Sequence, residues 1–304
     1  AVAACFAVAA GEPTLTSLAG GGMMIVRDGA TGEVTVLDFF GDAPSLRQSE
    51  VDGLDFYSID LSYGPTTQSF YVGPGSAGVP GVIPGLCTAL ERWGTMGLSD
   101  IITPACEMLR VGAVLGPKQA QLAQLLKPIL TREPEPRSVF AASGRFLESG
   151  DVFRLPQLAE ALEEMAKCGW HDFYQEVMVA RMLRQFGPDS GGLLRAQDFD
   201  AYQLSTYSPL LIQGTKSTVY TMPPPAAGGP MIGLMRRLYT GDEEAGGTPE
   251  RRLCAAMATA DTARLNSRLD TSEENIDWCR KDYRQRLSGS LKSETASGGP
   301  SSTT

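Results

Sequence analysis

The run Met222-Pro-Pro-Pro-Ala-Ala-Gly-Gly-Pro230 constrains the fold of this chain more than any other stretch. Three consecutive prolines have no N–H to give to a sheet ladder, so a strand that reaches Thr221 must stop there and leave in an extended conformation. The Ala-Ala-Gly-Gly that follows permits close backbone approach. Pro230 then suits the first turn of a helix over Met231–Tyr239, where a missing N–H is not needed. The rival reading is a PxxP ligand for an SH3-type partner. It fits less well, because the run lies between a strand and an apolar helix and not in an exposed linker.

The rest of the chain supplies the same kinds of pieces. Ala1–Ala10 is a small-residue apolar helix suited to close burial between layers. Met23–Val26 and Glu33–Asp38 read as a hairpin around Gly29-Ala-Thr-Gly32. The glycines Gly20–Gly22 lack both phosphate-loop spacing and a following helix, so close backbone approach in a packed sheet is the expectation. Ser45–Gln68 reads as a long loop and Phe70–Val72 as a short strand. Helices are expected from Pro84 to Trp93, over Leu98–Leu109 and over Gln119–Leu130, with Arg132–Pro136 as a linker. Leu158, Leu162 and Met165 mark a helix stopped by Gly169, and Phe173, Val177 and Ala180 the next one. Asp198 caps a short turn toward Tyr202. Leu210–Gln213 and Ser217–Thr221 pair around Gly214. Glu250–Leu269 and Glu274–Leu287 are amphipathic helices. Strand pairs followed by helix runs predict α+β layering and antiparallel sheet, not a parallel doubly wound sheet.

Chemistry is bounded by what is scarce. The 304 residues hold one histidine, His171. It reads as a surface or helix-start residue. A His-rich metal site is excluded within the chain, no metal or other cofactor is implied, and a Ser-His-Asp triad would have to use that one residue. A net charge of −9 and a pI near 4.8 argue against a nucleic-acid partner or an anionic membrane surface. No apolar run reaches spanning length. The six cysteines lack C-x-x-C spacing and read as buried free thiols, a weak sign of a reducing compartment. The chain starts on Ala within an uncapped helix, so an N-terminal piece is expected to be missing, and localisation stays open between cytoplasmic and periplasmic.

The end of the chain carries two readings. By composition, Lys292–Ser302 is a flexible tail. Against the single histidine, the Thr303-Thr304 pair behind it suggests a nucleophile that needs no histidine: an N-terminal Thr whose own α-amine takes the hydroxyl proton.

Several motifs give the chain a resemblance to a known family. They are Ala1-Val-Ala-Ala-Cys-Phe-Ala, Ala19-Gly-Gly-Gly-Met-Met, Gly78-Val-Pro-Gly81, Trp93-Gly-Thr-Met, Gly191-Gly-Leu-Leu with Asp198 to Tyr202, and above all Tyr220-Thr-Met-Pro-Pro-Pro-Ala-Ala-Gly-Gly229. The chain resembles the γ-glutamyltransferase (γ-glutamyltranspeptidase) family of N-terminal-nucleophile (Ntn) hydrolases. The resemblance implies an αββα sandwich made as one inactive precursor that cuts itself before a Thr-Thr-His motif. Residues 1–290 would be most of the large chain, 291–302 a flexible segment before the cut, and 303–304 the start of the small chain. Ser302-Thr303 would be the bond cut, and Thr303 the nucleophile, with Thr304 the nearest alternative. The small chain, which in the family brings the oxyanion glycines, would be the protein partner, and a γ-glutamyl or acyl amide the small-molecule partner. Such a fragment is expected to be inactive alone.

One departure stands out. The family carries an Arg after Asp-Phe that holds the glutamyl α-carboxylate, whereas this chain reads Leu37-Asp38-Phe39-Phe40-Gly41-Asp42. Phe40 occupies the Arg place. Asp38, Phe40 and Arg47 are therefore the candidate substrate-binding residues. Either Arg47 replaces the missing cation or the acyl group is not γ-glutamyl. For Phe39-Phe40 the plainer reading is core, and for Asp38 a loop carboxylate.

Overall fold

Small residues let the first helices pack closely. In the computed structural model, which describes residues 1–45, 50, 52–142, 144–214, 217–224, 226–241 and 248–266, helix α1 (Val2–Gly11) buries Phe6, Ala9 and Ala10. Strands β1 (Gly22–Arg27) and β2 (Val34–Phe39) follow, then β3 (Tyr57–Tyr63) and β4 (Thr66–Val72). Next come α2 (Val82–Trp93), α3 (Leu98–Val111), β5 (Ala113–Val114), α4 (Pro117–Leu125), α5 (Lys127–Leu130), α6 (Pro134–Phe140) and β6 (Val152–Phe153). Helix α7 (Pro156–Cys168) precedes a continuous helical stretch of α8 (Trp170–Asp172), a π-helical segment (Phe173–Met178) and α9 (Val179–Phe186). The described residues then continue through α10 (Ala196–Ala201), β7 (Ser205–Tyr207), β8 (Leu210–Gln213), β9 (Thr218–Thr221), α11 (Gly228–Gly241) and α12 (Pro249–Asn266).

The chain divides into two compact units, residues 1–24 with 37–205 and residues 25–36 with 206–304. In the first, α1 and α7 both pack on α3. Ala105 and Ala159 are fully buried there, and the small side chains bring α3 and α7 close enough for the Cys106 thiol to reach the Ala159 carbonyl at 3.8 Å. At the rim, Arg110 holds Glu163 with two hydrogen bonds of 2.6 and 2.7 Å. Phe6, Leu37, Phe39, Ile83, Leu86, Leu162, Met165 and Phe199 fill the same core. In the second unit β8 pairs antiparallel with β9, from Leu210 opposite Thr221 to Gln213 opposite Thr218. Helices α11 and α12 pack together, burying Leu234, Ala256 and Ala260.

The strand stops where the prolines begin, but the exit expected to be extended turns instead, with the Ala226 N–H donating to the Pro223 carbonyl at 3.2 Å. Strand β9 stops at Thr221, and α11 starts at Gly228, which puts Pro230 in its first turn. A Cβ on Gly229 would lie 1.8 Å from the Met222 carbonyl oxygen, so the close approach expected of the Gly pair is real.

Four other expectations are corrected. The stretch taken as a loop from Ser45 to Gln68 contains β3 and the first three residues of β4, which form a seven-pair antiparallel hairpin. Arg132–Pro136 is not a linker: Pro134 opens α6, where a proline costs no hydrogen bond. The helix expected over Gln119–Leu130 breaks at Leu126, because Pro128 cannot continue the bonding. The thiols divide: burial holds Cys87 and Cys106, and pushes the Cys87 thiol up to about 12, whereas Cys5, Cys168 and Cys254 are exposed. His171 is exposed at a helix start, stacked on Trp170, as expected. Cys279 and the helix expected over Glu274–Leu287 lie outside the described residues.

Candidate active site

Strand β2 ends with its side chains sorted by the alternation of a strand. Leu37 and Phe39 point into the core, while Phe40, just past the end, is 65% exposed. Core is therefore correct for Phe39 and incorrect for Phe40. The Phe39 ring is received by two glycines: a Cβ on Gly22 would lie 2.6 Å from it and one on Gly85 2.1 Å. No other residue type fits against a ring at that distance. The glycine run beside it serves the same purpose, since a Cβ on Gly21 would lie 2.3 Å from the Gly41 nitrogen.

Past β2 the backbone is fastened repeatedly. Asp38 accepts a 3.0 Å hydrogen bond from the Phe40 N–H, which turns the chain out of the strand. The Tyr202 hydroxyl donates to the Phe40 carbonyl at 3.0 Å. Asp42 and Val79 exchange two backbone hydrogen bonds of 3.2 and 2.8 Å. Gly81 N–H and Val82 N–H both donate to the Gly20 carbonyl, at 2.8 and 3.0 Å. Tyr174 donates to the Pro80 carbonyl at 2.7 Å. At the far end, buried Asp198 accepts from Ser45 N–H at 3.1 Å and from Arg195 N–H at 2.7 Å, and the Arg195 guanidinium donates to the Ser45 hydroxyl at 2.8 Å.

Electrostatics keep the two tyrosines neutral. Burial, followed by Asp42 and Asp38, pushes the Tyr202 hydroxyl above its ordinary value. Burial, followed by Tyr202 and Asp42, does the same for Tyr174. Both hydroxyls are therefore donors throughout the neutral range. An apolar cavity of about 630 Å³ opens beside Phe39, lined among others by Cys5, Val8, Leu15, Val82 and Leu86. Among the described residues, no group of three or more His, Cys, Asp or Glu side chains could hold a metal ion.

Two of the sequence candidates, Asp38 and Phe40, thus meet at one strand end. Arg47, Ser302, Thr303 and Thr304 lie outside the described residues. The sequence reading gave Asp198 only a cap on the turn toward Tyr202, which the structure bears out, and gave no role to Tyr174, Tyr202 or Gly81. The signal was present in Gly78-Val-Pro-Gly81 and in the stretch from Asp198 to Tyr202, two motifs that the fold brings to the same segment.

A family model described as gamma-glutamyltranspeptidase matches residues 1–296. The chain belongs to this family. Among its relatives is the glutathione hydrolase proenzyme of Escherichia coli (strain K12), 29% identical over 230 residues, 75% of this chain and 38% of that protein. The Acylase ACY 1 proenzyme of Pseudomonas sp. (strain V22) is 27% identical over 241 residues, 79% of this chain and 43% of that protein. The chain thus spans less than half the length of these curated relatives. The crystal structure of Helicobacter pylori gamma-glutamyltranspeptidase matches with a TM-score of 0.73 at 22% identity, over 100% of this chain and 85% of that chain. The fold is accordingly the α+β Ntn-hydrolase fold of γ-glutamyltranspeptidases.

Proposed function

We propose that this chain is the large-chain part of a self-processing amide hydrolase or acyltransferase that acts on γ-glutamyl amides of the glutathione kind. The family match across residues 1–296 carries this reading. The chemistry follows from the residue type at 303. A Thr hydroxyl is a weak nucleophile at neutral pH and needs a base in contact. Cutting the Ser302–Thr303 bond frees the Thr303 α-amine, whose pKa of about 8 lets it serve as that base. The hydroxyl then adds to the amide carbonyl and its proton passes to the α-amine. Collapse of the tetrahedral adduct breaks the C–N bond, and the leaving amine takes the proton. Water or a second amine attacks the resulting ester and releases the acyl group. The small chain, as the partner, would bring the backbone N–H groups that hold the oxyanion.

A second reading keeps this chemistry and changes the acyl group. Phe40 presents an exposed apolar ring where the resemblance expects a carboxylate-binding Arg, and a guanidinium and a phenyl ring are not interchangeable. The acylase relative supports it. A non-catalytic relative would show neither activity. The test is turnover of γ-glutamyl-p-nitroanilide against glutaryl- and phenylacetyl-p-nitroanilide by the full-length, self-cleaved gene product. Preference for the γ-glutamyl compound supports the first reading, and preference for the phenylacetyl compound, which lacks the carboxylate that glutaryl shares with γ-glutamyl, supports the second. No turnover of any, with Thr303→Ala indistinguishable from the parent, contradicts both.

A further inference from the structure

We propose that α10 and the tyrosine behind it form a clamp on segment 40–45, with Tyr202 and Asp198 as positioning residues that set which acyl group the enzyme accepts. The inference rests on the proposed function, in that segment 40–45 is taken to read the acyl group. Its evidence is independent of that reading.

Segment 40–45 leaves the sheet at Phe40 and has no strand of its own beyond the Asp42–Val79 bridge. Its two ends are nevertheless fixed, and both fixings come from one eight-residue stretch, 195–202. Tyr202 holds the Phe40 carbonyl, and Asp198 with Arg195 holds the Ser45 backbone and side chain. Asp198 is 7% exposed. A carboxylate that deeply buried is costly unless its oxygens are satisfied, and here its two oxygens accept from two chain segments 153 and 3 residues away. It closes the first turn of α10 and anchors residue 45 in the same act.

Tyr202 shows complementary shaping. A Cβ on Gly81 would lie 2.1 Å from both the Tyr202 hydroxyl and the Phe39 carbonyl oxygen. The hydroxyl therefore occupies room that exists only because residue 81 has no side chain. The Tyr202 ring is placed by Tyr174, with centroids 6.3 Å apart, and Tyr174 is fixed in turn by Phe199 and by the Pro80 carbonyl. Tyr202 and Asp198 both act on backbone, so the clamp sets where the residue 40 side chain stands regardless of its chemistry. A clamp that works this way acts on substrate fit more than on the chemical step.

The test is Tyr202→Phe, which removes one hydroxyl and keeps the ring, in the full-length, self-cleaved gene product. KM for the preferred acyl anilide is expected to rise about 3- to 10-fold, the loss of one hydrogen bond's worth of placement, while kcat changes about 2-fold or less. The ratio of kcat/KM between two acyl groups is expected to shift by a similar factor. Amide hydrogen exchange at Asp42 and Val79 is expected to speed up in the same variant. Asp198→Ala is expected to loosen the Ser45 end and to shift selectivity in the same sense. Unchanged KM, selectivity and exchange in Tyr202→Phe would overturn the clamp, as would a lower melting temperature with unchanged selectivity. If the parent turns over no acyl anilide, the proposed function fails, and exchange at Asp42 and Val79 still decides whether the clamp exists.

Discussion

The chain contains two hairpins close together in sequence that are built on opposite principles. The hairpin of β1 and β2 ends inside the core: Leu37 is fully buried, Phe39 nearly so, and Gly22 and Gly85 leave room for the Phe39 ring. The hairpin of β3 and β4 stands largely on its own pairing. Leu61 and Val72 are buried, but Tyr57, Tyr63 and Tyr71 are exposed, and its aromatics pack on each other, Phe56 on Tyr71 at 5.0 Å and Tyr63 on Phe70 at 6.4 Å. The first hairpin has one permitted geometry at its end, and that end carries the candidate substrate residues. The second holds together by cross-strand pairs, each of modest worth and tolerant of replacement. Rigid placement of a site requires the first kind.

The largest contrast should appear on truncation. Phe39→Ala is expected to lower stability by about 3–5 kcal/mol, the range for emptying a buried aromatic site. Tyr71→Ala, 63% exposed and held by one stacked ring, is expected to lower it by only about 0.5–1.5 kcal/mol. Urea unfolding of the two variants checks this, and equal losses would break the comparison.

A smaller effect separates the glycines. Gly85→Ala drives a methyl group into the Phe39 ring and is expected to cost about 1–3 kcal/mol, although Ala in an open helix position would gain about 1 kcal/mol. The cost should shrink but not vanish in a Phe39→Ala background, which removes the ring atoms at 2.1 and 2.4 Å and keeps the residue 39 Cβ at 2.6 Å. Gly64, in the turn between β3 and β4, has φ +74° and open space around it. Gly64→Ala should therefore cost about 1–2 kcal/mol from backbone strain alone, unaltered by any second substitution. A double-mutant cycle in denaturant reads both.

The hairpins also differ in acid. In the turn between β1 and β2, the Thr31 and Ala30 N–H groups donate to the Asp28 carboxylate at 2.9 and 2.7 Å and hold it below its ordinary value. A lowered folded-state value means a stabilising contribution that is complete above the unfolded value and is lost as pH falls through the folded one. Carbon-13 NMR should find the Asp28 midpoint below 3.8. The turn from Tyr63 to Thr66 holds no carboxylate and should show no transition there. An Asp28 midpoint at or above 3.8 would contradict the geometry.

The contrast also explains what could be seen in the sequence. β1, β2, β8 and β9 were legible because apolar alternation and Gly turns bound them. β3 was missed although Tyr57, Ile59, Leu61 and Tyr63 alternate with Ser, Asp and Ser. Its backbone bonds are satisfied by β4, so it needs little core, and the surrounding polarity masked the period. The α3–α7 packing was legible as helices but not as contact, because Ala105 and Ala159 look like propensity until two helices meet over them. At the candidate site, Asp38 and Phe40 were found by their place in a motif. Asp198 was read as a local cap but not as an anchor for Ser45, and Tyr202 was given no role, since these partners lie 153 and 162 residues away. Only the fold brings such pairs together.

The central claim is that a threonine becomes a chain start and the enzyme's nucleophile. Intact-mass measurement and N-terminal sequencing of the purified full-length gene product test it directly. The account predicts two associated chains, the smaller beginning at Thr303, and a single uncut chain for Thr303→Ala. A parent that stays whole and still hydrolyses an acyl anilide would contradict it.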